Sequence, residues 1–241
     1  MKSQARAAGL TALLLALAVT SMSALRGQHQ STHPPKEQQS DDEPLPVVDY
    51  TDRSHEKDAK RRAKGKRYDD GAVEKEVWKD LIVALTNDWE VGLPALPVGK
   101  SDLIVAGTVL DARAYLSPGN TGVYSEFTVK VDEILKDSAT SVSTGDLIAV
   151  DREGGRVRYP SGYIVTHYVT GYGMPRPNKR YVLFLKREEE NLTIVTGYEL
   201  HEKKVRTLDH AKKFKKFEGT SEDAFLSEIR SAVNSSAHPG R

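Results

Sequence analysis

The chain contains no cysteine. Because disulfides, thiolate zinc sites and cysteine nucleophiles all require a thiol, these three kinds of chemistry are excluded. The sequence also lacks a Gly-x-Ser-x-Gly elbow, a Gly-x-Gly-x-x-Gly turn and a phosphate-binding loop. We therefore expect no cofactor, no metal and a hydrophobic core that is sufficient without cross-links.

The chain also lacks a marked excess of charge of either sign. Its 35 basic residues are balanced by 34 acidic ones, which gives a net charge of +1. Removal of residues 1–24 takes away two basic residues, Lys2 and Arg6, and no acidic residue, so the net charge becomes −1. A nearly neutral chain has no global attraction for polyanions, and we expect no nucleic-acid partner.

The first 24 residues have the pattern of an export signal. Lys2 and Arg6 precede an apolar stretch over residues 7–19, and the small residues Ser21, Ser23 and Ala24 follow it. Cleavage there predicts an exported protein, either periplasmic or extracellular. The alternative is a membrane anchor over residues 7–25, because this uncharged segment has the length of a short membrane span, roughly 17–25 residues.

Residues 25–70 are predicted to form a disordered, charged tether, because large apolar residues are scarce in this segment. A basic run over residues 60–67 places six cations among eight residues. Such a run could bind an anionic polymer or lipid headgroups, and a solvated spacer is the alternative. We expect membrane contact only through this run or through an uncleaved N-terminal segment.

Residues 71–233 are predicted to form a single globular domain of the mainly β class. One apolar stripe at helical spacing predicts an N-terminal helix over 72–86, and a second stripe predicts a C-terminal helix over 221–233. Between them, over 101–208, short alternating runs separated by turns predict a small OB-like barrel or a sandwich of short antiparallel strands. Residues 234–241 are expected to be a frayed tail.

Short segments between residues 102 and 209 carry a family resemblance: Ala-Gly-Thr-Val (106–109), Ala-Tyr-Leu-Ser (114–117), Val-Tyr-Ser-Glu-Phe (123–127), Ile-Leu-Lys (134–136), Glu-Gly-Gly (153–155), Arg-Tyr-Val-Leu-Phe-Leu (180–185) and Thr-Gly-Tyr-Glu-Leu (196–200). They resemble a group of uncharacterised exported bacterial proteins. The Gly-x-Val strand and the strand ending in Leu-Lys also resemble OB-like barrels of the netrin and metalloproteinase-inhibitor type. That inhibitor chemistry needs an N-terminal cysteine on zinc, so the resemblance implies barrel topology alone.

Two groups of residues are candidates for ligand binding. Residues 151–159 carry three arginines around a glycine pair, and arginine forks suit carboxylate or phosphate groups. A Gly-Gly hairpin with charges paired across its strands is the alternative. Tyrosines that cluster nearby could form a platform for a sugar or a peptide. The predicted ligand-binding residues are Arg152, Arg156, Arg158, Tyr159, Tyr163 and Tyr172.

These patterns predict an exported, non-catalytic binding module of the bacterial envelope or secreted space, with an envelope glycan or protein as partner. The alternative is a hydrolase of unknown type in which His167 works with Asp151 or Glu153. Geometry separates the two hypotheses, because the hydrolase requires His167 to converge on one of these acids in a cleft.

Overall fold

The computed structural model of the chain describes residues 45–69, 76–86 and 89–237. These residues all fall within one unit, Asp42–Arg241. The predicted export signal, the alternative anchor over 7–25 and the first part of the predicted tether lie outside the described residues. Within the described ranges, no helix combines the length and apolar character that a membrane crossing requires.

Strands predominate in the described part of the chain, where ten of them form two sheets. Their bounds are β1 (Val47–Asp49), β2 (Leu81–Leu85), β3 (Leu103–Leu116), β4 (Val123–Asp137), β5 (Leu147–Glu153), β6 (Gly155–Arg158), β7 (Ile164–Val169), β8 (Arg180–Glu188), β9 (Asn191–His201) and β10 (Lys204–Thr207). The helices are α1 (Ser54–Lys57), α2 (Ala59–Gly65) and α3 (Glu222–Ala237), with 3-10 turns at Lys66–Tyr68, Val98–Lys100 and Phe214–Phe217.

Five strands of the larger sheet close into a ring in the order β3-β4-β5-β9-β8, because β8 pairs with both β9 and β3. Four of the five pairings are antiparallel. The parallel seam between β5 and β9 is short, with Val150 opposite Leu192 and Asp151 opposite Thr193. The predicted mainly β class, with a barrel-like ring of strands and helices on the N- and C-terminal sides, is therefore confirmed.

The alternation of β4 explains how the barrel is filled. Phe127, Val129 and Val131 are fully buried and belong to the cluster that includes Val150 of β5. Their even-numbered neighbours, such as Glu126, therefore point to the outer side of the barrel. The opposite wall of the barrel packs against α3. The apolar stripe predicted for this C-terminal helix lies in a second core cluster around Tyr198.

The smaller sheet has the strand order β1-β6-β7-β2 and packs against the far ends of β3 and β4. The glycine pair connects β5 of the barrel to β6 of this sheet, and Gly154 has a φ of +110°. A Cβ at Gly154 would lie 3.1 Å from the carbonyl oxygen of His167. Because β6 pairs with β1 and β7, the alternative of a Gly-Gly hairpin with β5 is wrong.

Three predicted boundaries need correction. The helix expected over 72–86 is wrong for Leu81–Leu85, which is strand β2; residues 70–75 and 87–88 lie outside the described residues. The disordered tether expected over 25–70 is wrong for residues 45–69, which form β1, α1, α2 and a 3-10 turn. The C-terminal helix is present and runs to Ala237, so residues 234–237 are helical rather than part of a tail.

Candidate functional site

Residues 58–69, which we call the covering segment, lie across the outer side of the barrel. Asp58 starts the segment by accepting hydrogen bonds from the backbone N–H groups of Lys60 and Arg61. The ring of Tyr68 stacks on Tyr124 of β4, with ring centroids 4.7 Å apart. Asp69 ends the segment on the β3–β4 loop, where it accepts a 2.9 Å hydrogen bond from the backbone of Gly119. The C-terminal end of the segment is therefore attached to the barrel.

A buried carboxylate lies at the centre of this attachment. Asp151 of β5 has no exposed surface. It accepts hydrogen bonds from Arg67 (2.8 Å), from the hydroxyl of Tyr68 (2.7 Å) and from Thr193 of β9 (3.0 Å). The Nζ of Lys64 lies 3.7 Å from the same carboxylate. Such a charge is stable in the interior only because cations and donors surround it.

These contacts raise the pKa of two side chains in the covering segment, Arg67 and Tyr68. Burial opposes the charge of Arg67, but Tyr68, Asp151 and Glu188 outweigh it and raise the pKa of this guanidinium. Burial, followed by the charge of Asp151, raises the pKa of the Tyr68 hydroxyl well above its usual value. At neutral pH the arginine is charged and the tyrosine is protonated, as the hydrogen bonds to Asp151 require.

The basic run over residues 60–67 is largely engaged by the protein itself. Lys64 binds Glu126 of β4, and Arg67 also reaches Glu188 at 3.1 Å. The guanidinium of Arg61 lies 3.9 Å from the ring centre of Tyr115. Five of the six cations, among them Arg62 on the carbonyls of α1 and Lys60 on Glu190, thus have partners within the chain.

A second buried charge pair lies next to the first along β5. Arg152 is 1% exposed and forms a two-pronged ion pair with Asp209, with N–O distances of 2.7 and 2.9 Å. Asp209 also accepts hydrogen bonds from Thr196 and from the backbone of Gly173. The guanidinium of Arg152 lies 3.9 Å from the ring centre of Tyr172. Its Nε–H is buried and has no hydrogen-bond partner among the described residues.

A cleft of about 170 Å³ opens where β5 and β9 separate, just beyond the paired residues Asp151 and Thr193. It brings together guanidinium, carboxylate, hydroxyl and aromatic groups. Such a mixture can hydrogen-bond a polar ligand and offer a ring face to its apolar side. The lining residues are Arg67, Tyr68, Arg152, Glu153, Tyr172, Glu188, Thr193 and Ile194.

A larger groove of about 630 Å³ lies between α2 and the β8–β9 turn. Its polar lining consists of Arg62, Lys66, Arg67, Glu188 and Glu189, and the sequence has no aromatic residue among its lining positions. We favour the smaller cleft as the candidate site because buried, fixed groups such as Arg152 form its walls.

The structure divides the six predicted ligand-binding residues into separate places. Arg152 and Tyr172 line the cleft. Arg156 and Arg158 lie on β6 of the smaller sheet, on the opposite face from buried Val157.

The two remaining tyrosines are not part of the cleft lining. Tyr163 precedes β7 and is 40% exposed, whereas Tyr159 is 3% exposed and stacks on Tyr50. The expectation that Tyr159 contacts a ligand therefore conflicts with its burial.

The residues of the hydrolase hypothesis lie on different strands. His167 is 2% exposed in β7, opposite Gly155 of β6 and Val83 of β2. Asp151 lies in β5 and is bound by the covering segment and Thr193. Glu153 lines the cleft at the end of β5. Across the described ranges, no group of three or more His, Asp or Glu side chains is arranged to hold a metal ion.

Sequence reasoning missed Arg67, Tyr68 and Thr193 as cleft residues. Arg67 and Tyr68 fall within the predicted tether, and their place in the cleft depends on Asp151, which is distant in sequence. Thr193 carried no signal, because its role depends on the register between β5 and β9.

No model of a known protein family matches this chain, and no curated protein matches it.

Proposed function

We propose that this chain is an exported, non-catalytic binding module of the bacterial envelope or secreted space, whose cleft holds one unit of an envelope glycan. The observation that carries the proposal is the stack of Tyr172 on Arg152 at the wall of the cleft. Sugars combine an apolar ring face with many hydroxyl groups. The ring of Tyr172 is half-buried, with Arg152 on one face and Trp89 at a centroid distance of 4.6 Å. Its remaining surface suits the former, and the carboxylates and guanidinium groups around it suit the latter.

The size of the cleft limits what it can hold. At about 170 Å³ it is smaller than the ~300–1,000 Å³ of typical small-molecule pockets. It therefore suits a single unit of a polymer, with the rest of the ligand outside. The buried Nε–H of Arg152 lacks an acceptor within the described residues, and a ligand oxygen would supply one.

A matched pair of tyrosine substitutions tests the proposal. We expect Tyr172→Ala to weaken binding of the mature protein to defined envelope oligosaccharides by about ten-fold or more, because the ring contact is lost. Tyr163→Ala removes an equal side chain outside the cleft and should leave the affinity unchanged. Binding of no oligosaccharide by the wild-type protein, or equal affinities for both variants, would contradict the proposal.

The alternative hydrolase, with His167 and either Asp151 or Glu153, has a separate test. If this hypothesis is correct, the protein hydrolyses a glycan or peptide substrate. The substitution His167→Gln should then abolish this activity while the fold is retained. The geometry supports it less well, because the carboxylate of Asp151 is already bound by Arg67, Tyr68 and Thr193.

A further inference from the structure

The outer face of β4 and β5 carries a set of groups that is complementary to a basic peptide. Three carboxylates face the covering segment: Glu126 of β4, Asp151 of β5 and, beside this face, Glu188 at the end of β8. All three are bound by the cations Lys64 or Arg67 of the segment. The ring of Tyr115, next to them, carries the guanidinium of Arg61. Without the covering segment, these acidic and aromatic groups would be exposed together on one face.

One group on this face is left unsatisfied by the segment that covers it. Tyr124 of β4 has no exposed surface, and its hydroxyl has no hydrogen-bond partner among the described residues. The covering segment stacks the ring of Tyr68 on it. The segment therefore matches the charges of this face while leaving a buried hydroxyl unpaired, which a better ligand would pair.

We propose that the outer face of β4 and β5 is a binding surface for basic, tyrosine-containing peptides, and that residues 58–69 occupy it as an intramolecular ligand. This goes beyond the glycan cleft, which lies beside the face and shares Arg67 and Tyr68 with it. The ligand class follows from the occupant itself, in which Arg61, Lys64 and Arg67 bind the rings and carboxylates of the barrel.

A tethered occupant competes strongly with a free one. Its effective concentration is on the order of millimolar for a short connection, so an external peptide gains access only when the covering segment is released.

The test uses the full mature chain and a fluorescent peptide with the sequence of residues 58–69. The release variant Lys64→Ala/Arg67→Ala removes the two cations that bind Asp151. The control variant Lys60→Ala/Lys66→Ala removes equal charge, but Lys60 forms only an exposed pair with Glu190. We expect the release variant to bind the peptide about ten-fold more tightly than the wild type or the control does.

Adding Glu126→Gln to the release variant should reverse that gain, because one of the carboxylates that attract the peptide is lost. Tyr172→Ala should leave peptide binding unchanged, so failure of the glycan proposal and failure of this one are distinguishable. A folded release variant that binds the peptide no better than the control would overturn the proposal.

Hydrogen exchange on the wild type decides the matter if the release variant does not fold. We expect the amides of α2 and the following 3-10 turn to exchange faster than those of β3 and β4. Exchange as slow as that of β4 would show that residues 58–69 are a fixed part of the fold, which overturns the proposal.

Discussion

The hydroxyl of Tyr68 donates a 2.7 Å hydrogen bond to Oδ1 of Asp151, a carboxylate that lies 83 residues further along the chain and has no exposed surface. This contact joins the covering segment to the strand at which the barrel closes. It also places the ring of Tyr68 over Tyr124, so one side chain provides both polar and apolar attachment. The bond should therefore contribute to the stability of the whole unit.

Tyr68→Phe removes only this donor and keeps the ring. We expect the free energy of unfolding to fall by about 1.5–3 kcal/mol, because the acceptor is charged and loses one of its buried partners. Urea denaturation followed by tryptophan fluorescence measures the change. Tyr163→Phe, at a 40% exposed side chain, should change stability by less than about 0.5 kcal/mol. Equal effects of the two substitutions would show that the hydrogen bond to Asp151 makes no net contribution to the free energy of unfolding.

Buried tyrosines predict a loss of stability at alkaline pH. Burial raises the pKa of Tyr68, Tyr124, Tyr172 and Tyr198 above the ordinary 10.0, and nearby carboxylates add to the shift for Tyr68 and Tyr124. A folded-state pKa above the unfolded one favours the protonated, folded form. The stabilisation is complete below pH 10 and is lost as the pH rises through the folded-state values.

We therefore expect the urea midpoint to decrease as the pH rises above about 10, while tyrosinate absorbance of the folded protein lags behind that of the unfolded chain. A midpoint independent of pH in this range would contradict the burial of these hydroxyls.

The barrel strands were predictable because their signal is local. Phe127, Val129 and Val131 alternate with polar residues in the sequence, and β4 buries those three side chains in the barrel. Residues 81–85 show the limit of such reasoning. Leu81, Ile82 and Leu85 fit a helical stripe, yet β7 offers a parallel edge, and pairing with it selects the strand.

The covering segment could not be predicted from its own composition. It has few apolar residues, and its order depends on Asp151 and Glu126, which lie far away in sequence. Of the candidate site, Arg152 and Tyr172 were predictable as residue types suited to binding, whereas the cleft they share depends on where β5 and β9 separate. That place is set by the pairing register of strands that are distant in sequence, and the periodicity of the sequence does not reveal it.

Arg152 and Asp209 form a buried ion pair. Breaking it by removal of one partner should destabilise the fold more than breaking a surface ion pair does. Arg152→Met leaves the carboxylate of Asp209 buried, with Thr196 and Gly173 as its donors among the described residues. We expect a loss of about 3–5 kcal/mol in the free energy of unfolding. Arg158→Met, which breaks an exposed pair with Asp49, should cost less than about 1 kcal/mol. Similar losses in urea denaturation would argue against a buried charge at Asp209.

The backbone of β4 approaches β3 so closely at Gly107 that a side chain at this position would clash with it. A Cβ at this position would lie 2.6 Å from the carbonyl oxygen of Lys130 and 2.8 Å from Cγ1 of Val129, where the β3–β4 register shifts. Because the closest atom belongs to the backbone, relief requires movement of β4, and we expect Gly107→Ala to cost about 1–3 kcal/mol. Gly99→Ala meets nothing within 4 Å and should be neutral or slightly stabilising. If thermal denaturation showed equal stability for the two alanine variants, β3 and β4 could not approach as closely at Gly107 as the barrel requires.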